Sequence, residues 1–173
     1  MNSGGKNTTI NGLLYEKLTD LSSNYSIIKQ NKHHNIIKFN EYDKEFIITE
    51  KYNFIKYLNN KIDKKINKAH GCKHPDECII DEKEKIIYII EKKFQQSNGS
   101  ICEKIQTSDF KLWQYSRLLK NYKIIYIYCL SEWYRENCKA ELEYLEYKKV
   151  PVFYGNDDNY KTNIINFIIN NLL

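Results

Sequence analysis

The chain has 173 residues, of which 42% are hydrophobic and 28% charged, with 6 glycines and 2 prolines. This length is typical of one domain, and the composition excludes collagen-like, disordered and small disulfide-scaffold proteins. The longest apolar run, residues 86–90, is far shorter than the roughly 18 residues of a membrane-spanning helix, and residues 1–7 lack a signal-peptide core. We therefore expect one soluble, cytoplasmic domain over 1–173 that does not associate with membranes.

The formal net charge of +5 is compatible with a polyanionic partner but does not require one. Of the 27 basic residues, only Arg117 and Arg135 are arginine, so bidentate recognition has to use mainly lysine, asparagine and glutamine. The 5 cysteines are odd in number and scattered, which predicts reduced thiols in a cytosol-like compartment.

The pattern of apolar residues predicts strands that alternate with helices along the chain. The predicted elements are, in chain order, a helix over 11–21, strands over 35–39 and 45–49, a helix over 51–68, a hairpin with arms over 78–80 and 85–90, a helix from 105 or 109 to 119, a strand over 122–130, a helix over 132–147, a strand over 150–154 and a helix over 160–173. This alternation predicts an α/β (α+β) domain with a mixed β-sheet flanked by helices.

The most informative feature is a group of polar residues at the end of an apolar strand. Residues 86–90 predict a buried strand, which leads directly into the sequence EKKFQ at 91–95. Successive side chains of a strand point to opposite faces, so Glu91, Lys93 and Gln95 share one face. Lys92 points to the other face.

The first arm of the hairpin brings a second carboxylate to the same place. If the turn is centred near Lys83, Asp76 lies opposite Ile90 or Glu91, and cross-strand Cβ atoms are about 5 Å apart. Two such carboxylates repel unless a cation bridges them, and oxygen ligands favour Mg²⁺. The alternative is a salt-bridged hairpin end, in which lysines neutralise both acids at the surface.

This pattern resembles the motif of the PD-(D/E)XK nuclease superfamily. Pro75-Asp76 is followed, after the apolar strand, by Glu91-Lys92-Lys93, and Gln95 completes an E-x-K-x-Q pattern. The segment from about 70 to 120, together with the helix sequence NGLLYEKLTDL, is similar to small type II restriction endonucleases, over about half of the chain. The resemblance implies a restriction-endonuclease-like core of order αβββαβ in a Mg²⁺-dependent DNA endonuclease.

The resemblance also implies the metal ligands and the catalytic cation. Asp76, Glu91 and the main-chain carbonyl of Lys92 would hold Mg²⁺, for which Mn²⁺ could substitute. Lys93 would orient or deprotonate the attacking water and stabilise the pentavalent phosphate. These residue types suit phosphodiester hydrolysis, because the reaction needs a metal that activates water and a cation near the developing charge.

Two further residues have implied supporting roles. Glu16, on the first predicted helix, would contact the metal directly or through water, unless that helix turns Asp20 toward the site instead. Gln95 would support the site or a nearby phosphate.

Candidate DNA contacts lie in the loop before Asp76 and around the helix that follows the motif: Lys73, His74, Lys104, Gln106 and Arg117. That helix interleaves aromatic and basic side chains, a pattern that is found in nucleic-acid grooves. The alternative is an ordinary amphipathic helix with Phe110, Trp113 and Leu118 in the core.

Histidines and cysteines elsewhere suggest two other sites, and their spacing argues against both. The set His70, Cys72, His74 and Cys78 does not match the paired spacing of zinc knuckles, so a basic loop is the preferred interpretation. The segment 33–35, HHN, lacks the rest of an HNH nuclease motif and is interpreted as a loop.

Several functions therefore remain open. A type II restriction endonuclease acting on double-stranded DNA, with a cognate methyltransferase as a further partner of the system, is the leading hypothesis. A repair or recombination nuclease of the same superfamily would have the same site. A non-catalytic nucleic-acid-binding module and a small α/β protein with a chance motif are the two non-nuclease hypotheses. A small restriction enzyme would act as a homodimer on a palindrome, although a monomer that nicks single strands is an alternative.

Overall fold

A computed structural model describes residues 4–61, 74–96 and 102–171, with side chains from residue 10 onward. Within these residues, seven strands form one mixed sheet. They are β1 (Tyr25–Gln30), β2 (Asn35–Phe39), β3 (Glu45–Thr49), β4 (Glu77–Asp81), β5 (Ile86–Lys93), β6 (Lys123–Leu130) and β7 (Val152–Tyr154). Their spatial order follows the chain. Neighbours from β1 to β5 are antiparallel, whereas β6 and β7 add in parallel.

Helices cover both faces of this sheet. They are α1 (Gly4–Leu18), α2 (Lys51–Asn59), α3 (Ser108–Leu118), α4 (Glu132–Asn137), α5 (Lys139–Tyr147) and α6 (Tyr160–Asn170), with 3₁₀ turns at Ser22–Asn24 and Cys102–Lys104. One core cluster packs Phe54, Tyr115 and Leu145 of α2, α3 and α5 against the sheet. The other packs Tyr15 of α1 and Ile164 of α6 against the opposite face. Among the described helices, none combines the length and apolar character needed to cross a membrane.

The predicted mixed sheet flanked by helices is therefore confirmed, and most differences concern boundaries. β1 was not predicted, because nearly all of this edge strand is exposed and its sequence lacks alternation. The predicted helix over 132–147 is two helices, which are separated by the non-helical backbone of Cys138 (φ −126°, ψ 48°). The helix predicted over 51–68 is described only as far as Asn59, and residues 62–68 lie outside the described part.

The first helix packs through a tyrosine rather than through its leucines. Leu14 and Leu18 are 61% and 62% exposed, and the helix ends before the buried Leu21. The Tyr15 hydroxyl lies 3.5 Å from Cys129 Sγ and accepts the Gly155 N–H at 3.1 Å. A Cβ atom at position 155 would collide with that hydroxyl, so glycine is required for this close approach.

The prediction of five reduced cysteines is wrong for two of them. Cys102 and Cys138 form a disulfide across a sequence separation of 36 residues. Sequence spacing could not reveal this pair, because its two halves meet only once α3 and β6 have folded between them. Cys78 and Cys129 are free, buried thiols, and Cys72 lies outside the described residues.

Candidate functional site

The hairpin of β4 and β5 brings the two motif carboxylates to the same end of the sheet. Glu77 pairs with Ile90 in this register, so Asp76, just before β4, lies opposite Glu91. This agrees with the predicted register. β5 pairs with β4 on one side and with β6 on the other. Its alternate side chains enter the core clusters on the two faces of the sheet, so β5 is buried along nearly its whole length.

Three predicted site groups meet around the ammonium group of Lys93. Lys93 Nζ lies 2.5 Å from Glu91 Oε1 and 3.9 Å from Asp76 Oδ2. It also donates a hydrogen bond to the carbonyl oxygen of Lys92 at 3.2 Å. The Lys92 N–H in turn donates to Asp76 Oδ2 at 2.8 Å, which fixes that carboxylate against β5. The predicted metal ligands thus lie within reach of a single cation.

A second ammonium group, Lys111 of α3, also contacts Glu91, and sequence reasoning missed it. Lys111 Nζ is 2.8 Å from Glu91 Oε1, and its side chain is only 12% exposed. The only sequence signal was its place on the helix after the motif, among aromatic and basic residues. Lys111 can be identified as the residue of that helix that contacts Glu91 only when the packing of α3 against β6 is known.

Burial and these charges shift the pKa values of the two carboxylates in opposite directions. Burial, followed by the repulsion from Glu91, raises the pKa of Asp76 above its usual range. Burial also acts to raise the pKa of Glu91, but Lys93 and Lys111 together hold it below its usual range. An added cation would therefore stabilise the ionised form of Asp76 more than that of Glu91, which two lysines already neutralise.

Lys92 lies on the opposite face, as predicted, and has a structural partner there. Its Nζ is 2.8 Å from Glu77 Oε2, and both side chains are less than 10% exposed. It also donates to the main-chain oxygen of Glu16 at 3.2 Å, which ties α1 to β5. Burial raises the pKa of Glu77, an effect that the nearby Lys92 opposes.

Glu16 and Asp20 both line a cavity of about 520 Å³ that also contains Asp76. Glu16 Oε2 forms an ion pair with Lys51 Nζ at 2.9 Å. Asp20 instead accepts the N–H and O–H of Ser22, so its carboxylate organises the turn after α1. Between the two, Glu16 is the carboxylate whose charge contributes to raising the pKa of Asp76.

Lys51 connects α2 to the proline-aspartate motif. Its N–H donates to the Pro75 carbonyl at 2.8 Å, and its backbone has a left-handed φ of 47°. Such a conformation is strained for a residue other than glycine, and Lys85 and Lys149, which lie outside the site, adopt it as well, each with a φ of 55°.

The far wall of the cavity is the turn between β1 and β2, residues 31–34, which we call the hairpin tip. Its sequence is Asn-Lys-His-His, and the segment interpreted above as a plain loop begins within it. Asn31 bonds to His34 through both main chain and side chain, and His33 Nδ1 lies 3.3 Å from Asn53 Oδ1. The sheet register places this tip at the same end as Asp76 and Glu91. Polar groups thus extend from Asp76 to the edge of the sheet.

Gln95 fixes the chain where it leaves β5. Its main-chain N–H donates to Ser131 Oγ at 3.0 Å, and that hydroxyl donates back to the Gln95 carbonyl at 3.0 Å. This arrangement joins the ends of β5 and β6, and the Gln95 side chain is buried.

The candidate DNA contacts do not form one cluster. Gln106 Nε2 donates to Glu141 of α5 at 3.1 Å, and the ring of His74 packs against Tyr52 with centroids 5.5 Å apart. Lys104 lies on a 3₁₀ turn, where its carbonyl accepts the Thr107 hydroxyl. Lys73 lies outside the described residues.

Arg117 belongs to an exposed aromatic row on α3. Phe110 and Trp113 are 56% and 54% exposed, so the alternative that placed both rings in the core is wrong for them. Their ring centroids are 5.7 Å apart, and the Arg117 guanidinium lies 4.9 Å from the Trp113 ring. Flat aromatic and cationic surfaces of this kind suit contact with nucleic acids.

The donor set around Asp76 and Glu91 suits a hard divalent cation, because it consists of carboxylate and carbonyl oxygens. A zinc site from the predicted His and Cys set has no support in the described residues: Cys78 is buried in the core, and His70 and Cys72 lie outside those residues. The sulfur atoms beside Glu141 belong to the Cys102–Cys138 disulfide, so they are not thiolate ligands.

Three comparisons with known proteins identify no relative of this chain. A scan against protein-family models, a search of curated proteins and a search of solved structures each find no match for this chain.

Proposed function

We propose that the protein is a Mg²⁺-dependent DNA endonuclease that hydrolyses phosphodiester bonds, and specifically a type II restriction endonuclease. The observation that carries this proposal is the meeting of Asp76, Glu91, Lys93 and the Lys92 carbonyl at the end of β5. The alternative of a salt-bridged hairpin end places both acids at the surface, whereas the side chains of Asp76 and Glu91 are only 19% and 10% exposed. Mn²⁺ would substitute for Mg²⁺.

The residues at the end of β5 suit the chemistry of this reaction. Asp76, Glu91 and the Lys92 carbonyl would hold a metal ion that supplies an activated water and neutralises phosphate charge. Lys93, an ammonium group paired with Glu91, would orient the water and stabilise the phosphorane, while the proton of the water would pass to solvent. The water oxygen bonds to phosphorus, one phosphorus–ester oxygen bond breaks, and the leaving oxygen takes up a proton.

The order of elements supports the same proposal. The antiparallel neighbours β3, β4 and β5 are followed by the crossover helix α3 and the parallel strand β6, although β1 and β2 lie between α1 and β3 in the chain and α2 lies between β3 and β4. An αβββαβ core would then consist of α1, β3, β4, β5, α3 and β6, with β1, β2 and α2 as additions to it. The convergence of both carboxylates and the lysine also disfavours a non-catalytic module, which would have no need to retain all three.

Double-stranded DNA is the proposed substrate, and a homodimer in the cytoplasm is the proposed acting form. The cavity that extends from Asp76 to the hairpin tip is lined by lysine, amide and imidazole groups, which can contact phosphates and base edges, and also by carboxylates. A two-fold dimer would cut a palindrome, for which a companion methyltransferase would protect the host DNA. Sedimentation with and without DNA tests the dimer.

Digestion of a plasmid of known sequence tests the activity. We expect Mg²⁺ or Mn²⁺ to support cleavage at discrete mapped positions, EDTA to stop it, and Asp76→Asn to abolish it. Asp158→Asn, at an exposed position outside the site, is the matched control and should cleave like the parent. Undiminished hydrolysis by metal-free protein would refute the proposal.

The mapped ends also separate the two nuclease classes. Recurrent ends within one short sequence indicate a restriction endonuclease. A repair or recombination nuclease would instead cut at junctions, gaps or free ends regardless of sequence, so branched and nicked DNA of the same sequence belongs in the same assay.

A further inference from the structure

Lys111 lies in the candidate metal site although the sequence motif gives it no role there. Its ammonium group is 2.8 Å from Glu91 Oε1 on one side. On the other side it lies 5.8 Å from the centroid of the Tyr126 ring. The lysine is thus held between a carboxylate and an aromatic face, with little contact with solvent.

Glu91 therefore has two ammonium groups on one oxygen atom, since Lys93 lies 2.5 Å from the same Oε1. Together with Asp76, the local set consists of two carboxylates and two ammonium groups, so its formal charges cancel. A divalent cation that joined this set would meet strong repulsion from both lysines. The departure of one of the two positive charges from Glu91 would lower the repulsion that a bound metal ion meets there.

The contacts indicate which lysine leaves. Lys93 belongs to the buried strand β5 and has a second carboxylate neighbour, Asp76, whose Oδ2 lies 3.9 Å from its Nζ. Lys111 reaches Glu91 from the separate helix α3, through a long side chain. It can withdraw by rotation about its side-chain bonds, while α3 and the strand pairing stay in place.

We infer that Lys111 is an exchangeable counter-ion that occupies Glu91 in the metal-free protein and gives way to a divalent cation. The inference rests on the proposed function, and it adds a residue that sets the metal affinity. Once displaced, the ammonium group is free to contact a non-bridging phosphate oxygen of the substrate. Lys111 is thus both a competitor of the metal and a second cation for the phosphate.

Calorimetric titration of Mn²⁺ into the full-length, metal-free protein, without DNA, tests this inference. Lys111→Met and Lys111→Gln should each bind Mn²⁺ at least about tenfold more tightly than the parent, because one repelling unit charge has been removed. The gain should vanish in Asp76→Asn/Lys111→Met, which lacks a ligand. Lys148→Met is the matched control, since Lys148 also pairs with an acid of α3, Asp109 at 2.6 Å, but outside this site.

The outcomes separate this inference from the proposed function. Unchanged or weaker Mn²⁺ binding by both folded Lys111 variants would overturn the counter-ion role and leave the nuclease proposal standing. Tighter binding by variants of a parent that cleaves no DNA would support the role while removing the nuclease proposal. No Mn²⁺ binding by the parent or by either variant would overturn both.

Discussion

The adjacent residues Lys92 and Lys93 of β5 have different roles because their side chains point to opposite faces of the sheet. Lys93 shares a face with Asp76 and Glu91, whereas Lys92 is buried on the other face beside Glu77. The removal of one partner from a buried ion pair leaves an uncompensated charge and typically costs about 3–5 kcal/mol. The two lysines should therefore respond differently to the same substitution.

Lys93→Met should lower the cleavage rate by at least about a hundredfold, because it removes the cation that the proposed mechanism places beside the reacting phosphate. Its DNA affinity in Ca²⁺, which we expect to support binding without cleavage, should stay close to that of the parent. Lys92→Met should instead lower the free energy of unfolding by about 3–5 kcal/mol. Cleavage assays well below the melting temperature, together with urea unfolding, separate the two effects.

The double variant Glu77→Leu/Lys92→Met provides the control for Lys92. Replacement of both members of a buried pair by apolar residues is often neutral, so most of the lost stability should return. Equal loss of turnover in Lys92→Met and Lys93→Met, with both proteins fully folded, would contradict the assignment of the two faces.

Asp76→Asn should stabilise the metal-free protein at pH 8. Burial and the charge of Glu91 raise the pKa of Asp76 in the folded state, so its ionised form destabilises folding above that pKa. The gain should appear as a higher Tm of the variant at pH 8. It should shrink as the pH falls through the raised pKa toward the ordinary value of about 3.9, where both states bind the proton.

Thermal unfolding in EDTA across pH 4 to 8 measures this effect, with Asp158→Asn as the exposed control. Addition of Mn²⁺ should reverse the order, because only the parent gains stability from metal binding. A variant that is less stable than the parent in EDTA at pH 8 would show that the Asp76 carboxylate stabilises the metal-free fold instead.

At the scale of elements, the hairpin of β4 and β5 could be predicted because its geometry is local. Its turn sets the register and strand alternation sets the faces, so the opposition of Asp76 and Glu91 follows from neighbouring residues alone. The contact of Lys111 with Glu91 depends on how α3 packs over the sheet after a crossover, which no local pattern encodes.

The strand β1 and the buried face of α1 were not predicted, because they too depend on tertiary contacts. β1 is an edge strand whose exposed Ile27 and Ile28 break the expected alternation of buried and exposed residues. α1 is anchored by Tyr15 on Cys129, so its leucine spacing predicted a helix but not the buried face. In both cases tertiary contacts, rather than local pattern, decide which side chains are covered.

The hairpin tip offers a test at this scale. Replacement of Lys32-His33 by Asn-Gly should retain the fold, because Asn-Gly suits a two-residue hairpin turn and the Asn31 N–H already bonds to the His34 carbonyl. If the tip contacts DNA, the affinity in Ca²⁺ should fall by about tenfold or more, which corresponds to one or two polar contacts.

The matched control is Lys83-Glu84→Asn-Gly in the turn between β4 and β5, which lies at the opposite end of the sheet. Fluorescence anisotropy with labelled duplex DNA compares the two variants. An equal loss of affinity in both, or no loss in the tip variant, would exclude the tip from the DNA interface.

At the scale of the whole molecule, the two arginines have different environments. Arg135 bonds to both carboxylate oxygens of Asp157 at 2.9 Å and also pairs with Glu132, so its charge is already neutralised. Arg117 is exposed on α3, stacked on Trp113, on the helix that also carries Lys111. Of the two, Arg117 is therefore the arginine that is better placed to meet a polyanion.

Arg117→Ala should reduce the salt dependence of DNA binding, whereas Arg135→Ala should not. Each phosphate that a protein neutralises contributes about −0.9 to the slope of log K against log salt concentration, so the loss of one contact should make the slope shallower by about that amount. Binding in Ca²⁺ across 50 to 300 mM salt, roughly the range in which such slopes are resolved, measures it for both variants and the parent. Because arginine is so scarce, the slope that remains in Arg117→Ala has to come from lysines. A flat dependence in the parent, or a change confined to Arg135→Ala, would place the DNA on another face of the molecule.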